Sequence, residues 1–564
     1  MAPDAAIPEW IEVHTGSRPI ILLAPHGGRR SAPRRPGRDK VNDLHTAEVT
    51  RELAAACGAT CVINARHDRN ELDLNRITAV RDRAPWLLAF LADTLDDMLA
   101  HAGRATVLVV HGWNVVQAAC DLGVGLVEDE SGCVSAGDAH PTVSDRFLCE
   151  VLRRLQRQAS RQDVTVTIGA RYPAAHPNNL LQLFTAARSN DAAPAIRRIA
   201  ALADRVDAVQ LELGIPLRWP GPRRHAFAQL LGTTFAAACA TSTAGRRSAP
   251  YRSRRARSET PSPAADAPSG GVRCGGRVTR RLGLQFIDGE LLGMTSLDAG
   301  DAGAVAGRLL LSTGSDRLAL FTGELATTGA LHVPGLEYRE LDGRALDVAY
   351  RGPLLAFPTL MPFVDLESGL ACGELVETSL ALHFEPENPA EFGPGNGEVG
   401  CSIFGTLRGS VVLGGLRRAF ATDVCVVSSR RADRITALPS MRLTLPATPL
   451  GGLDLASDGF DAAAGTRILH EGDVLGFTLA GRTSAGTPVT GVCELGIAAE
   501  CGSVHVALTN GRAAHEFAGA LERIIPVRRP GRDGAVVETR YALCRFPHLA
   551  PGWLEVSLER PRGV

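Results

Sequence analysis

The stretch Ile20-Ile21-Leu22-Leu23-Ala24-Pro25-His26-Gly27-Gly28 decides the fold of the N-terminal part of the chain. Its first five residues are apolar and include two β-branched side chains, which is typical of a short buried strand. A proline and two glycines then end the strand, and a histidine stands at its end. Ligands of open parallel sheets bind at the carboxyl ends of the strands. His26 is therefore the first candidate for a functional residue.

Similar apolar runs recur up to about residue 240 and alternate with helical patterns. The other predicted strands are Thr60–Asn64, Val107–Val110, Val164–Ile168 and Ala208–Leu213. The predicted helices are Thr46–Ala56, Arg83–Leu99, Ser144–Gln158 and Ala192–Leu202. This alternation predicts a parallel or mixed sheet that is covered by helices on both faces. We therefore expect residues 1–240 to form one α/β domain.

The composition changes twice after residue 240. Residues 241–271 contain six arginines and two acids among many small and polar residues, with Tyr251 as the only large apolar side chain, so we predict a flexible linker. From residue 272 to 564, short runs separated by Gly, Asp and Pro predict an all-β region, a sandwich or barrel in one or two subdomains. The predicted strands include Leu309–Leu311, Leu318–Phe321, Ser410–Leu413, Val424–Val427 and His505–Leu508. Ala513–Arg523 is the main predicted helix of this region.

The composition excludes several classes of function. The 564 residues carry a net charge of −1, which argues against nucleic acid as a partner, and Lys40 is the only lysine, so no P-loop motif is present. Gly395–Gly400 fits G-x-G-x-x-G, but a strand is predicted after it where a dinucleotide site needs a helix. We find no apolar stretch of about 18 residues, no pattern typical of a signal peptide, and 13 scattered cysteines without a CxxC pair. We therefore expect a cytoplasmic location and no membrane partner.

Two of the predicted strands end at histidines. His26 follows the strand at residues 20–24, and His111 follows the strand at residues 107–110. Two imidazoles at strand ends favour a zinc site, which in hydrolases usually has a carboxylate as third ligand and one open position. Asp43 and Glu48 are the candidates for that carboxylate, with Asp43 preferred, although either could instead stabilise the start of the next helix. One zinc ion is predicted as cofactor.

The polar stretch Arg66–Arg76 and the end of the last predicted strand supply further candidates. The guanidinium groups of Arg66 and Arg76 suit bidentate contacts to substrate carboxylates, and Asp73 and Asn75 could orient them. A salt-bridged, solvated helix start would explain the same stretch equally well. Near the end of the strand at residues 208–213 stands Glu212, and Arg218 follows shortly after it.

In order and spacing, these elements resemble the N-formylglutamate amidohydrolase family over residues 15–235. The resemblance rests on Pro25-His26-Gly27-Gly28, Asp43, Asp73-Leu74-Asn75-Arg76, His111 and Gln210-Leu211-Glu212 with Arg218. It implies a mixed sheet like that of the zinc carboxypeptidases, in the phosphorylase/hydrolase-like class. It also implies metal binding by His26, His111 and an acid of the 43–48 segment. Catalysis by Glu212 is implied too, together with contacts to a small acidic N-acyl amino acid through Arg66, Asp73, Asn75, Arg76 and Arg218.

The resemblance predicts a zinc-dependent amidohydrolase in which Glu212 is the general base toward the water that attacks an N-formyl or N-acyl amide. The alternative is a binding or scaffold protein that keeps the hydrolase fold without turnover and whose β region binds a small apolar ligand or a partner. A third possibility is that the β region has an activity of its own. No chemistry is assigned to the β region from its sequence.

Overall fold

The computed structural model describes most of both parts of the chain. The described residues are 7–30, 40–129, 132–241, 278–300, 304–313, 317–326, 332–341, 345–358, 366–387, 401–429, 440–445, 448, 453–460, 474–483, 485, 487–497, 502–510, 513–530, 536–549 and 552–560. They fall into two compact units, one with the described residues up to 241 and one with those from 278 onward. Residues 242–271 of the predicted linker and the Gly395–Gly400 motif lie outside the described residues.

The N-terminal unit is built on a mixed sheet. Its strands are β1 (Ile11–His14), β2 (Ile20–Ala24), β3 (Thr60–Asn64), β4 (Ala105–Trp113), β5 (Ala119–Gly123), β6 (Leu126–Asp129), β7 (Gly132–Ser135), β8 (Thr165–Ile168) and β9 (Val206–Gly214). Seven of them form the sheet in the order β1-β3-β2-β4-β9-β5-β8, and β6 pairs with β7 separately. The central strands β3, β2, β4 and β9 are parallel, whereas β1 and β5 run antiparallel to their neighbours β3 and β9.

Helices cover both faces of this sheet, as the alternating pattern predicts. They are α1 (Thr46–Cys57), α2 (Ile77–Arg83), α3 (Pro85–Ala102), α4 (Asp145–Phe147), α5 (Arg153–Ser160), α6 (Pro194–Ala200) and α7 (Pro222–Thr241). Apolar side chains of α1, α5 and α7 pack on one face of the sheet, and those of α2, α3 and α6 pack on the other. The α/β character of this unit is therefore confirmed.

The predicted boundaries are accurate for the shortest strands and less so for the helices. The predictions for β2 and β3 are correct to the residue. The predicted helix Arg83–Leu99 instead begins at Pro85, since proline suits the first helical position and ends α2 before it. The predicted helix Ser144–Gln158 is interrupted by a π-helical turn over Leu148–Leu152. Strand β4 extends to Trp113, so His111 lies inside this strand and not after it.

The C-terminal unit is β-rich, as predicted, and its first part is a ten-stranded antiparallel sheet. The strands are β10 (Val278–Asp288), β11 (Leu291–Gly300), β12 (Ala304–Thr313), β13 (Arg317–Ala326), β14 (His332–Val333), β15 (Leu336–Leu341), β16 (Ala345–Phe357), β17 (Glu374–Pro386), β18 (Cys401–Leu413) and β19 (Leu416–Ser429), with the short helix α8 (Leu366–Ala371). The end of β16 also pairs with β13, which connects eight of these strands into a ring around an apolar core.

The second part of this unit is a closed eight-stranded barrel. Its strands are β20 (Ser440–Leu445), β21 (Leu453–Phe460), β22 (Val474–Thr483), β23 (Pro488–Ile497), β24 (Gly502–Thr509), β25 (Ala514–Pro530), β26 (Val536–Arg545) and β27 (Gly552–Arg560). The predicted helix Ala513–Arg523 is wrong, because this segment is the first half of β25. It pairs along its length with β24, and from Ala520 onward with β26. These long-range ladders override the local helix propensity of the segment.

None of the described helices is long and apolar enough to cross a lipid bilayer. In the described residues, nine cysteines are free thiols, which agrees with their scattered spacing in the sequence.

Candidate metal centre

His26 lies at the carboxyl end of β2 and is fully buried. Its Nε2 atom is 2.6 Å from Oδ1 of Asp73, and its Nδ1 atom is 3.4 Å from Oδ2 of Asp43. The Nδ1 atom has no hydrogen-bond partner. Gly28 keeps the turn after His26 compact, because a Cβ at this position would come within 1.9 Å of the carbonyl oxygen of His67. The glycine pair therefore serves the packing of the turn against protein backbone.

Asp43 lies in the loop that precedes α1 and contacts both His26 and His111. Its Oδ2 atom is 3.4 Å from Nδ1 of His26 and 3.1 Å from Nδ1 of His111. Its Oδ1 atom accepts a hydrogen bond of 3.0 Å from the Arg69 guanidinium. Burial alone would raise the pKa of Asp43, but Arg69 and the two histidines outweigh burial and hold this pKa well below its ordinary value. Asp43 is therefore an anion in a buried site.

The structure separates the two candidates for the third ligand. Asp43 lies beside both histidines, whereas the side chain of Glu48 is 44% exposed and its carboxylate is 4.0 Å from Nδ1 of His45. The residue that precedes the first turn of α1 is His45, in a left-handed conformation with φ of 65°, so the Asp43 side chain does not cap the helix. Of the two acids, only Asp43 lies where it could bind the same metal ion as the two histidines.

His111 completes the group from the neighbouring strand β4. Its ring centroid lies 4.8 Å from that of His26. Burial, together with the adjacent His26, lowers the pKa of His111 to about 4, against the opposing effect of Asp43. The imidazole is therefore neutral at pH 7 and keeps a lone pair available.

The three side chains fit the requirements of a zinc ion. One ligand atom from each of His26, Asp43 and His111 can be chosen so that all three lie within 4.8 Å of one another, and all three residues are buried. Tetrahedral zinc with bonds of about 2.0–2.1 Å requires neighbouring ligand atoms about 3.3 Å apart. The spacings of 3.4 and 3.1 Å around Oδ2 of Asp43 are close to this value, and the widest spacing in the group is no more than 4.8 Å. The unpartnered Nδ1 of His26 is a donor atom that the protein itself leaves unused.

Glu212 lies next to this group on β9. It is paired in register with His111 of β4, so both side chains emerge on the same face of the sheet. Only 7% of Glu212 is exposed, and its Oε1 accepts a 2.7 Å hydrogen bond from Nε2 of Gln210. Burial, followed by the charges of Asp43 and Asp121, raises the pKa of Glu212 well above its ordinary value. A carboxyl group with a raised pKa is suited to exchange protons near neutral pH.

The loop of residues 73–76 contacts the same group through Asp73. Besides His26, Oδ1 of Asp73 accepts a hydrogen bond of 2.9 Å from the backbone N–H of Asn75. Burial would raise the pKa of Asp73, but its contacts with His26, together with Arg69 and Arg76, lower it strongly. Substrate binding by Asp73 stays a prediction, and in the structure its carboxylate contacts His26.

The predicted substrate-binding residues differ in their surroundings. Arg66 is exposed, and its guanidinium has no partner among the described residues. The Nε atom of Arg76 lies 3.7 Å from Oδ2 of Asp73. Asn75 is buried, and its Oδ1 atom has no hydrogen-bond partner. These three side chains remain candidates for contacts to a substrate.

Arg218 has a structural position that the sequence does not predict. Its side chain is fully buried and donates hydrogen bonds to the carbonyl oxygens of Leu44, Leu213 and Trp113 and to the side chain of Asn114. Four of its five N–H groups are thus used inside the protein. Arg218 thus connects the segment around Leu44 to the ends of β4 and β9, and its contact to a substrate stays a prediction.

Sequence reasoning missed Arg69 and Gln210. Arg69 stands in the polar stretch that contains Arg66 and Arg76, but nothing in the pattern distinguishes it as the partner of Asp43. Gln210 is one of the quoted residues of the last strand, and its i, i+2 spacing from Glu212 would have placed both side chains on one face. That spacing was a usable signal.

No protein-family model and no curated protein matches this chain. Several solved structures are similar to parts of it, among them the following two. One is an N-formylglutamate amidohydrolase from Ralstonia eutropha JMP134, with 13% identity and a TM-score of 0.28, over 41% of this chain and 98% of that one. The other is a protein provisionally described as AttH from Nitrosomonas europaea, with 11% identity and a TM-score of 0.27, over 51% of this chain and 94% of that one. At such low TM-scores neither similarity carries an assignment, which depends on the geometry of the site.

Proposed function

We propose that the N-terminal unit is a zinc-dependent amidohydrolase that cleaves the amide bond of an N-formyl or N-acyl amino acid. The observation that carries this proposal is the buried group of His26, Asp43 and His111, with Glu212 in register beside His111. Two imidazoles and one ionised carboxylate form a common donor set of hydrolytic zinc sites. A buried carboxyl next to such a set supplies the base that hydrolysis needs.

His26, Asp43 and His111 would hold the zinc ion. When bound, zinc polarises a carbonyl oxygen and lowers the pKa of a coordinated water toward about 7. Asp73 keeps Nε2 of His26 protonated and engaged, which leaves Nδ1 as the ligand atom. Arg69 neutralises part of the charge on Asp43 and holds its Oδ1, so that Oδ2 stays directed to the histidines.

Glu212 would take the proton from the attacking water and deliver it to the nitrogen of the leaving amine. Its raised pKa suits both steps, because the carboxylate accepts a proton readily and can release it again. Arg66, Asn75 and Arg76 would bind the carboxylates of a small acidic substrate, since Arg66 is exposed and Asn75 keeps an unpartnered buried oxygen. Holding the substrate in this way reduces the entropy cost of the reaction.

The test is hydrolysis of N-formyl-L-glutamate and a panel of N-acyl amino acids by the zinc-loaded full-length protein, followed as release of free amine. The proposal predicts turnover by the wild type and a loss of at least about 100-fold in kcat for Glu212→Gln, with zinc content unchanged. The matched control is Glu48→Gln, an exposed acid near the site, which is expected to keep full activity. Absence of turnover across the panel would favour the binding or scaffold alternative.

A further inference from the structure

Glu212 does not stand alone on β9. Gln210 lies two residues earlier on the same face of the strand, is also buried, and donates from Nε2 to Oε1 of Glu212 over 2.7 Å. The Oε1 atom of Gln210 in turn accepts a 3.0 Å hydrogen bond from Nδ2 of Asn179. Asn179 is buried as well. Three buried polar side chains thus form a continuous hydrogen-bonded row that ends on Glu212.

The direction of this row is fixed by the backbone. Oδ1 of Asn179 accepts a 2.8 Å hydrogen bond from the N–H of Leu181, at the start of the 3₁₀ helix Leu180–Phe184. A backbone N–H can only donate, so this contact identifies the oxygen of the Asn179 amide and directs its NH₂ group to Gln210. The Gln210 amide must then present its oxygen to Asn179 and its NH₂ group to Glu212. No other orientation of the two amides satisfies all three contacts.

The same segment connects to the other side of the site. The N–H of Leu180 donates to the carbonyl oxygen of Asn75 over 3.1 Å, and Asn179 forms an isolated bridge with Arg76. The row therefore starts from backbone that is held against the loop of residues 73–76. Its polarity depends on an anchored part of the fold and not on a mobile side chain.

A second carboxyl group, that of Asp121, lies beside Glu212, so the hydrogen-bond donor to Glu212 must come from another residue. Asp121 is paired in register with Glu212 on the neighbouring strand β5, and its carboxylate is occupied by the hydroxyl of Thr167 and the backbone N–H groups of residues 170–172. A carboxylate only accepts hydrogen bonds, so Asp121 offers Glu212 no donor. The NH₂ group of Gln210 supplies one, and it fixes one oxygen of the carboxylate.

We propose that Gln210 and Asn179 are positioning residues, which hold the Glu212 carboxylate in one orientation through a one-way row of amide hydrogen bonds that starts at the Leu181 N–H. The inference rests on the proposed role of Glu212 as general base. Neither amide touches the reacting atoms. Their effect on the reaction is exerted through the oxygen of Glu212 that Gln210 holds, which leaves the second oxygen to face the substrate.

Asn179→Asp is the decisive variant, because it keeps the hydrogen bond from the Leu181 N–H and reverses the direction of the row of amides. A carboxylate oxygen still accepts from the N–H of Leu181, and aspartate is as good as asparagine at such a position. The other carboxylate oxygen would face Oε1 of Gln210, so the Gln210 amide is expected to turn over and present its oxygen to Glu212. Asn178→Asp is the matched control, because the adjacent Asn178 side chain is half-buried and its described hydrogen bonds are with Thr78.

The first readout is structural and does not depend on activity. Crystal structures of the full-length wild type and of Asn179→Asp are expected to differ at Gln210 and Glu212, with the Glu212 carboxylate displaced or in more than one orientation. His26, Asp43 and His111 are expected to stay in place. An unchanged Glu212 in Asn179→Asp would overturn the proposal.

The second readout is kinetic, on N-formyl-L-glutamate or the best substrate of the panel. Asn179→Asp is expected to lower kcat about 10- to 100-fold with KM and zinc content unchanged, because the base is misplaced while binding is retained. Asn178→Asp is expected to match the wild type. In a Gln210→Met background, Asn179→Asp is expected to change kcat by no more than about twofold, since its effect passes through Gln210.

The two proposals fail differently. If Glu212→Gln lowers kcat and Asn179→Asp does not, the row of amides is not a positioning device, while the function stands. Independent, additive effects of Gln210→Met and Asn179→Asp would also contradict the row. If Glu212→Gln keeps full activity, the proposed role of Glu212 fails, and with it the catalytic meaning of the row.

Discussion

Asp73→Asn tests how the protein prepares His26 for a metal ion. Oδ1 of Asp73 accepts from Nε2 of His26 over 2.6 Å and from the N–H of Asn75 over 2.9 Å. An asparagine oxygen can accept both hydrogen bonds at the same position. The substitution therefore keeps the shape of the site and removes the negative charge. Any change in zinc affinity then measures the charge-assisted part of the His26 contact.

The expected size of the effect follows from the burial of this pair. His26 is fully buried and the side chain of Asp73 is 19% exposed, so little solvent screens the interaction. Loss of a carboxylate that orients a metal-binding histidine typically reduces metal affinity 10- to 100-fold, which corresponds to about 1.4–2.7 kcal/mol. Because the hydrogen bonds can be retained, we expect a value near the lower end, about tenfold.

The assay is competition for zinc between the full-length protein and a chromophoric chelator at fixed pH. Asp207→Asn is the matched control, because Asp207 is also buried and hydrogen-bonded, to Arg104 and the N–H of Ser144, but lies at the start of β9, far along the strand from Glu212. The control is expected to keep the wild-type zinc affinity. Equal affinities for wild type and Asp73→Asn would refute the role of Asp73 in orienting His26.

Three further predictions follow from the site. Arg218→Met is expected to lower the free energy of unfolding by at least about 3 kcal/mol in urea denaturation, because buried carbonyl groups lose their donor; wild-type stability with a raised KM would make Arg218 a substrate contact instead. Arg66→Ala is expected to raise KM several-fold with kcat unchanged, since its exposed guanidinium has no described partner; an unchanged KM argues against a substrate contact. The zinc-free protein is expected to lose up to about 3 kcal/mol of folding stability as the pH falls from 6.5 to 4. The reason is that the pKa of His111 is about 4 in the folded protein and 6.5 in the unfolded chain, so the unfolded chain binds the proton first. A His111→Gln variant whose stability has the same pH slope as that of the wild type would contradict this.

The residues that could be predicted from the sequence are those whose position follows from the strands. β2 and β3 are short apolar runs with clear stops, and their predicted bounds are correct to the residue. Once strands of a parallel sheet are placed in one layer, their carboxyl ends share an edge. His26 and His111 meet for this reason, and the loop after β2 returns Asp43 to the same edge.

What could not be predicted is which polar side chains pair across that edge. Asp73 and Asp43 both contact His26. The arginine that contacts Asp43 is Arg69 and not Arg66. A polar stretch rich in Asp, Asn and Arg offers many pairings of similar energy, and the choice depends on rotamers and backbone turns. Such contacts are set by tertiary packing, which periodicity does not encode.

The incorrect prediction of a helix over Ala513–Arg523 and the unpredicted burial of Arg218 have related causes. Ala513–Arg523 has a helical pattern, but its backbone is paired with β24, and from Ala520 onward also with β26, within a closed barrel. Arg218 follows the end of a strand. Its guanidinium donates hydrogen bonds to the carbonyl oxygens of Leu213, Leu44 and Trp113. In both cases contacts with other elements of the fold decided the outcome: the ladders with β24 and β26 for the segment, and the carbonyl groups of Leu44 and Trp113 for Arg218.

Metal content of the purified full-length protein tests the central claim most directly. After zinc loading and dialysis, we predict one zinc ion per chain, with a first coordination shell of nitrogen and oxygen at about 2.0–2.1 Å and no sulfur by X-ray absorption spectroscopy. His26→Ala and Asp43→Ala are expected to lose the ion while their circular dichroism spectra stay like that of the wild type. Zinc retained in either variant, or a sulfur ligand in the wild type, would contradict a centre formed by His26, Asp43 and His111.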